Sequence, residues 1–288
     1  MALKDLLVYV DQTENSFARL RLAGDLAVRN GSHLTALYVR EWNRDQLDLR
    51  KAAEIGLVSA ARLHDLDHQV AATIEAAADR HRSAVTELAR ERGLRAELIA
   101  VDGVASVVVP QYARYADLCV LGCDELEGGP ASINYTFSEQ LLFVSGRPVL
   151  FVPPAGSFAT LGRHIAVAWN SSRPAALALN DALPLIEHAE QTTIIMINPS
   201  GFIENHPGPP GEQIVEHLKR HGAEVTAARL EDVPRDEIAD RLQDEAQARG
   251  ADLMVAGAFG HPRLWEKMLG GVTHDLIARM RLPVFMSH

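Results

Sequence analysis

The sequence alternates between short apolar runs and longer stretches that carry an apolar residue every three or four positions. Leu6 to Val10 is the first run, ended by Asp11, and a helical pattern follows through Leu20, Leu22, Leu26 and Ala27 until Asn30-Gly31 closes it. His33 to Val39 predicts a second strand. Val70 to Arg92 predicts a long helix ended by Gly93, Leu94 to Val101 a strand, Val104 to Arg114 a helix and Leu118 to Leu121 a buried strand. Phe137 to Val144 then supplies a helix and Pro148 to Val152 a last strand. Between Arg40 and Asp67 the chain is charged and irregular, with room for a partial helix around Leu47, Leu49, Ala52 and Ala53. The order βαβαβαβαβ predicts a parallel sheet covered on both faces, with right-handed crossovers.

After Pro153-Pro154-Ala155-Gly156-Ser157, a turn-forming linker, the pattern starts again at Arg163. The run His164 to Asn170 answers Leu6 to Asp11 at an offset of 159 residues, and Asn198 answers Val39 at the same offset. Ala251-Asp252-Leu253 answers Ala116-Asp117-Leu118, and Pro283-Val284 answers Pro148-Val149, both at an offset of 135. The first half holds its 24 surplus residues in the Arg40 to Asp67 connector. The second half crosses by Pro199 to Gly211, too rich in Pro and Gly for a helix, which reads as a solvated connector or a loop near the crevice. The expected fold class is α/β: two tandem doubly wound domains, each a five-stranded mostly parallel sheet with helices on both faces, over residues 1–153 and 163–288.

At 288 residues, 47% hydrophobic and 23% charged, both halves can bury a core. The formal net charge of −10 argues against nucleic acid or an anionic membrane as partner, so an anionic ligand would need a local site. No apolar run approaches a membrane span and the N-terminus lacks the apolar stretch of a signal peptide, which points to the cytoplasm. Cys119 and Cys123 would sit roughly 13 Å apart on an extended strand, too far for a disulfide, and read as reduced thiols. The 12 histidines read as scattered rather than paired at ligand spacing, and no structural metal is expected.

One stretch changes this picture. Leu253 to Ala256 enters Gly257-x2-Gly260-x9-Gly270-Gly271, and Val272, Leu276, Ile277 and Met280 then recur at helical spacing. Gly257 and Gly260 can take φ > 0 and let a ligand approach the main chain, while Gly270 and Gly271 open a helix whose first N–H groups lack internal partners. The ends of the excursion would meet across a crevice at the carboxyl end of the sheet. Strand, G-x2-G-x9-G, Val-Thr and a short helix ending in Pro-Val resemble the nucleotide loop of universal stress proteins, and the repeat extends that resemblance over nearly the whole chain, as a tandem of two such domains.

The resemblance implies a bound adenine nucleotide, ATP or ADP with or without Mg2+. It implies contacts from Gly257, Gly260, Gly270, Gly271, Val272 and Thr273, with Gly271 standing where the family carries Ser or Thr. Asn170 takes the place of the family's strand-closing Asp near the adenosine, beside Ser171, and Ile197 takes the place of an adenine contact. Ser171 or Ser172 also reads as the cap of a helix starting near Pro174. Single universal stress domains pair through their last strands, so Pro148 to Val152 is expected near Pro283 to Met286 in an intramolecular pseudo-dimer, which leaves a further homodimer open. His261, Arg263 and Lys267 read as solvated loop charges.

At an offset of 135 the first half keeps Gly122 alone, with Glu125, Tyr135 and Thr136 in place of Gly260, Gly270 and Gly271. A carboxylate facing phosphates predicts a cradle closed to triphosphate, and Asp11 then reads as a turn or capping residue. None of the familiar catalytic signatures is found, and nothing in the spacing selects Asp275 or Glu266 to position a water. The sequence reading is a sensor or regulator in the stress response that holds one adenine nucleotide in its second half, with no catalytic residues. A slow nucleotide-hydrolysing or transferring enzyme, and a protein-interaction scaffold with vestigial sites, are the alternatives.

Overall fold

A computed structural model describes residues 2–41, 51, 55, 60–122, 137–154, 156, 158, 160–199, 211–259 and 271–288. In the first half these form β1 (Asp5–Val10), α1 (Asn15–Asn30), β2 (His33–Arg40), α2 (Ala60–Arg92), β3 (Arg95–Asp102), α3 (Ala105–Ala113), β4 (Leu118–Gly122), α4 (Phe137–Val144) and β5 (Val149–Val152). The second half follows with β6 (His164–Ala168), α5 (Arg173–Ile186), β7 (Gln191–Ile197), α6 (Glu212–Arg220) and β8 (Val225–Leu230). Then come a short 3-10 turn at Arg235–Glu237, α7 (Ile238–Ala248), β9 (Leu253–Gly257), α8 (Val272–Ala278) and β10 (Val284–Ser287).

Among the described residues the strands make one ten-stranded sheet in the order β3-β2-β1-β4-β5-β10-β9-β6-β7-β8. Each half is parallel throughout, and the halves join where β5 and β10 run antiparallel, Leu150 opposite Phe285 and Val149 opposite Met286. The apolar runs lack polar interruptions because both faces are covered. Leu6, Val8 and Val10 of β1 pack with α1 and α2, while Leu7 packs with α3 and α4. In the second half Leu253 and Val255 of β9 join the α5 side, and Met254 and Ala256 the α7 and α8 side. Phe285 is fully buried at the junction, and its removal would leave a cavity costing about 3–5 kcal/mol.

Two expectations need correction. α2 starts at Ala60, ten residues before the predicted start at Val70. Its first turns are built from good helix formers, and Leu66 packs half-buried against the core one turn before the buried Val70. Leu63, Leu66 and Val70 continue the apolar spacing of the helix backwards, obscured in the sequence by the charged and imidazole residues between them. The histidines are also not all scattered: His64 and His68 lie four apart on α2, and their Nε2 atoms are 3.1 Å apart. Cys119 is a free thiol buried in β4, pushed up to about 12 by burial and so held protonated; Cys123 lies outside the described residues. No helix among the described residues is long and apolar enough to cross a membrane.

Candidate functional site

In each half the chain leaves the first strand toward one side of the sheet and returns to the fourth strand on the other. The two carboxyl ends side by side, β1 with β4 and β6 with β9, mark the crevices where open α/β sheets take ligands. In the second half β6 ends at Ala168 and Trp169 N–H bonds to Ile195 O at 2.9 Å. The next three residues form a tight local unit. Asn170 Oδ1 accepts from Ser172 N–H at 3.1 Å, Ser171 takes φ 60°, and Ser172 Oγ caps α5 by accepting from Ala175 N–H at 3.3 Å ahead of Pro174. The capping role therefore falls to Ser172. Asn170 and Ser171 are exposed above β6, and with Oδ1 committed to the turn, the NH2 group of Asn170 is its ready donor for a ligand.

Gly257 ends β9 beside this unit. A Cβ placed there would lie 2.3 Å from Ala175 N and 2.3 Å from Pro174 C, so a side chain would collide with the start of α5. Its φ is not positive; the residue in the left-handed region is Phe259, at φ 56°. Gly257 does not use the freedom of φ open to glycine; close packing of strand end on helix start is what requires glycine there. Gly260 and Gly270 lie outside the described residues, as do His261, Arg263, Glu266 and Lys267. Gly271 differs from Gly257. It is extended (φ −133°), precedes α8 without a side-chain cap, and a Cβ there would meet no atom of the described residues within 4 Å. Val272 packs half-buried on the core. Thr273 is buried, and its Oγ1 accepts from Phe259 N–H at 3.1 Å, which ties the two rims of the glycine loop together. Ile197 closes β7 one strand further along and is 8% exposed.

The sequence reading missed what holds those rims. The Phe259 ring stacks on Phe143 of α4 with centroids 4.4 Å apart, and His288 stands edge-on to Phe143 at 4.7 Å while its Nδ1 bonds to Ala258 O at 3.0 Å. At the foot of α8, His274 Nδ1 lies 3.0 Å from Oε1 of Glu139, a buried α4 carboxylate. Both rims of the second-half loop thus lean on a first-half helix. The offset of 135 gave a signal, since it makes Glu139 and His274 equivalent positions of the two halves.

Among the described residues, the first crevice carries an ion pair at its strand ends. Arg19 of α1, 4% exposed, donates from Nη2 to Asp11 Oδ2 at 2.7 Å and from Nε to Tyr9 O at 2.8 Å. A Cβ on Gly122 would fall 1.9 Å from Arg19 Nη1, so the guanidinium lies across the ends of β1 and β4. Asp11 also accepts from Thr13 N–H at 2.8 Å and from the Thr13 hydroxyl, the turn role expected for it. At the position of Arg19 the second half carries Ala178. An arginine on the buried stripe of α1, eight residues after the strand-closing Asp, was the signal for this plug. Glu125, Tyr135 and Thr136 lie outside the described residues.

No family model matches the sequence, and no curated protein matches it. A universal stress protein from Archaeoglobus fulgidus DSM 4304 superimposes with a TM-score of 0.68 at 18% identity, over 98% of this chain and 95% of that one. The chain has the universal stress protein fold. A second structure, described as a universal stress protein from Pseudomonas aeruginosa UCBPP-PA14, matches with a TM-score of 0.54 at 17% identity, over 99% of this chain and 93% of that one. The universal stress fold therefore extends over both halves of the chain rather than over one.

Proposed function

We propose that this chain is a tandem universal stress protein that holds one adenine nucleotide, ATP or ADP, in its second-half crevice and acts as a sensor or regulator in the stress response. The observation that carries the reading is the inequality of the two crevices. Buried Arg19, paired with the half-buried Asp11, lies in the first against Gly122, whereas the second has Ala178 at that position and a Gly271 whose missing Cβ meets no atom of the described residues within 4 Å. No crowding or positive φ explains glycine at 271, and close approach of a ligand would.

In this reading Asn170 and Ser171 meet the adenosine beside Ile197, while the main chain at Gly257, Gly260, Gly270, Gly271 and Val272 cradles the phosphates, with Thr273 holding the loop closed. These residues supply no carboxylate, so a Mg2+ would be carried by the phosphates and water. Asp275, the described candidate for positioning a water, is engaged with Arg279 at 3.4 Å, which favours retention over turnover.

The test is chromatography and mass spectrometry of small molecules released from the denatured full chain, followed by calorimetric titration with ATP and ADP. One nucleotide per chain, weakened tenfold or more by Gly260→Asp, is expected. Two equivalent sites, or no heat with either nucleotide, would overturn the reading. Phosphate release at many turnovers per minute with Mg2+ would favour the enzyme.

A further inference from the structure

We propose that His64 and His68 form a two-imidazole site for a late first-row divalent cation such as Zn2+ or Cu2+ on the first turns of α2. The two residues are one helical turn apart, so they share a face, and both are exposed. Their Nε2 atoms are 3.1 Å apart and the rings stand at 87° with centroids 4.4 Å apart. That separation suits chelation. A metal at about 2.0–2.1 Å from each nitrogen would see them at about 100°, between the right angle of a cis octahedral pair and the tetrahedral angle.

The same contact without metal is an Nε2–H···Nε2 hydrogen bond, which needs one ring in each tautomer. Binding a cation requires both rings to carry their proton on Nδ1, so one proton moves between the nitrogens of one ring and none is released when both start neutral. Imidazole selects copper, nickel and zinc over magnesium and calcium, and the remaining positions would be filled by water. The neighbouring Asp65 and Asp67 add to the local negative field of a chain whose net charge is −10, and a cation gains from both.

A second pair with the same spacing shows what is special here. His217 and His221 close α6 with ring centroids 4.8 Å apart, and His221 Nδ1 is 3.3 Å from Glu187 Oε1. One ring of that pair is oriented by a carboxylate of α5's C-terminal end. In the α2 pair the two Nε2 atoms approach each other to 3.1 Å.

The cation would staple one turn of a helix segment that otherwise rests on the core through Leu66. The experiment is calorimetric titration of the full metal-free chain with ZnCl2, and with CuCl2 monitored by electron paramagnetic resonance. The variants are His64→Gln, His68→Gln, the double variant and His217→Gln. All affected side chains on α2 are exposed, so circular dichroism should report unchanged folding. Wild type should bind one Zn2+ through this pair. Each single variant should bind about tenfold more weakly or worse, because the second imidazole loses its high effective concentration, and the double variant should lose little more. His217→Gln should match wild type, and the copper spectrum should show nitrogen coupling that falls in the α2 variants. Equal titrations for wild type and the double variant, or loss of binding on His217→Gln alone, would overturn the assignment.

Discussion

Replacing Asp11 by Asn keeps the shape of the β1–α1 turn and the acceptor for Thr13 N–H but removes the charge opposite Arg19. Arg19 is 4% exposed and would keep only Tyr9 O as a strong acceptor, at 2.8 Å. Breaking a fully buried ion pair by removing one partner costs about 3–5 kcal/mol, because the survivor stays desolvated. Asp11 is 27% exposed, so water reaches that side of the pair and the expected loss is about 2–3 kcal/mol. Urea unfolding of Asp11→Asn, Arg19→Met and the double variant gives the coupling directly, with the caveat of multistate unfolding met by following the first half through a fluorophore placed there. The coupling should be about 2 kcal/mol, and the double variant should be more stable than Asp11→Asn, because Met buries the same stem without a charge. Nucleotide affinity should change less than twofold in all three. A loss below about 0.5 kcal/mol for Asp11→Asn would show that Arg19 is hydrated and that no plug exists.

Phe143→Ala removes the ring beneath Phe259 and should weaken nucleotide binding severalfold, about 1 kcal/mol, although residue 143 belongs to the other half; unchanged calorimetric affinity would detach α4 from the site. Gly257→Ala should lower the melting temperature, since its methyl meets α5 at 2.3 Å, whereas Gly271→Ala should leave stability intact and reduce affinity alone. Burial lowers the His81 pKa below its ordinary 6.5, so the unfolded chain takes up that proton first. Stability should therefore fall as pH drops below about 6.5, by at most about 1.4 kcal/mol per pH unit from this group, and His81→Gln should flatten the slope of unfolding free energy between pH 6.5 and 5.

Much of the sheet was legible because burial on both faces writes strands as uninterrupted apolar runs, and because a repeat at two fixed offsets can be checked twice. What was illegible has local causes. The first ten residues of α2 do carry Leu63 and Leu66 at helical spacing ahead of Val70, but His64, Asp65, Asp67 and His68 between them made the stretch read as part of a charged connector. Gly257 was read as a ligand glycine alone, since sequence cannot show that the next helix also comes close; the 2.3 Å to Ala175 N adds a packing reason for glycine there. Arg19 was passed over as one charged residue in a helical pattern, although its buried face made it the anomaly of α1. Phe143 was invisible as a site residue because its partner lies in the other half of the chain, and for Glu139 the offset of 135 gave a signal that periodicity within one half could not.

Those cross-half contacts explain how two copies of one fold can diverge. The antiparallel β5–β10 junction brings α4 of one half against the loop and α8 of the other. With the halves alike, each helix would serve both as the continuation of its own glycine loop and as a brace for its neighbour's. If Arg19 and Asp11 keep nucleotide out of the first crevice, as proposed, α4 has no bound ligand of its own to serve, and its positions are free to specialise as a brace. Equivalent positions then need not match: Glu139 faces His274, a carboxylate against an imidazole, where a symmetric pair would set two like groups together. Opposite chemistry at equivalent positions is favourable only if the halves remain joined in this one register, so the plug in the first crevice and the brace across the junction are two consequences of a single commitment to asymmetry.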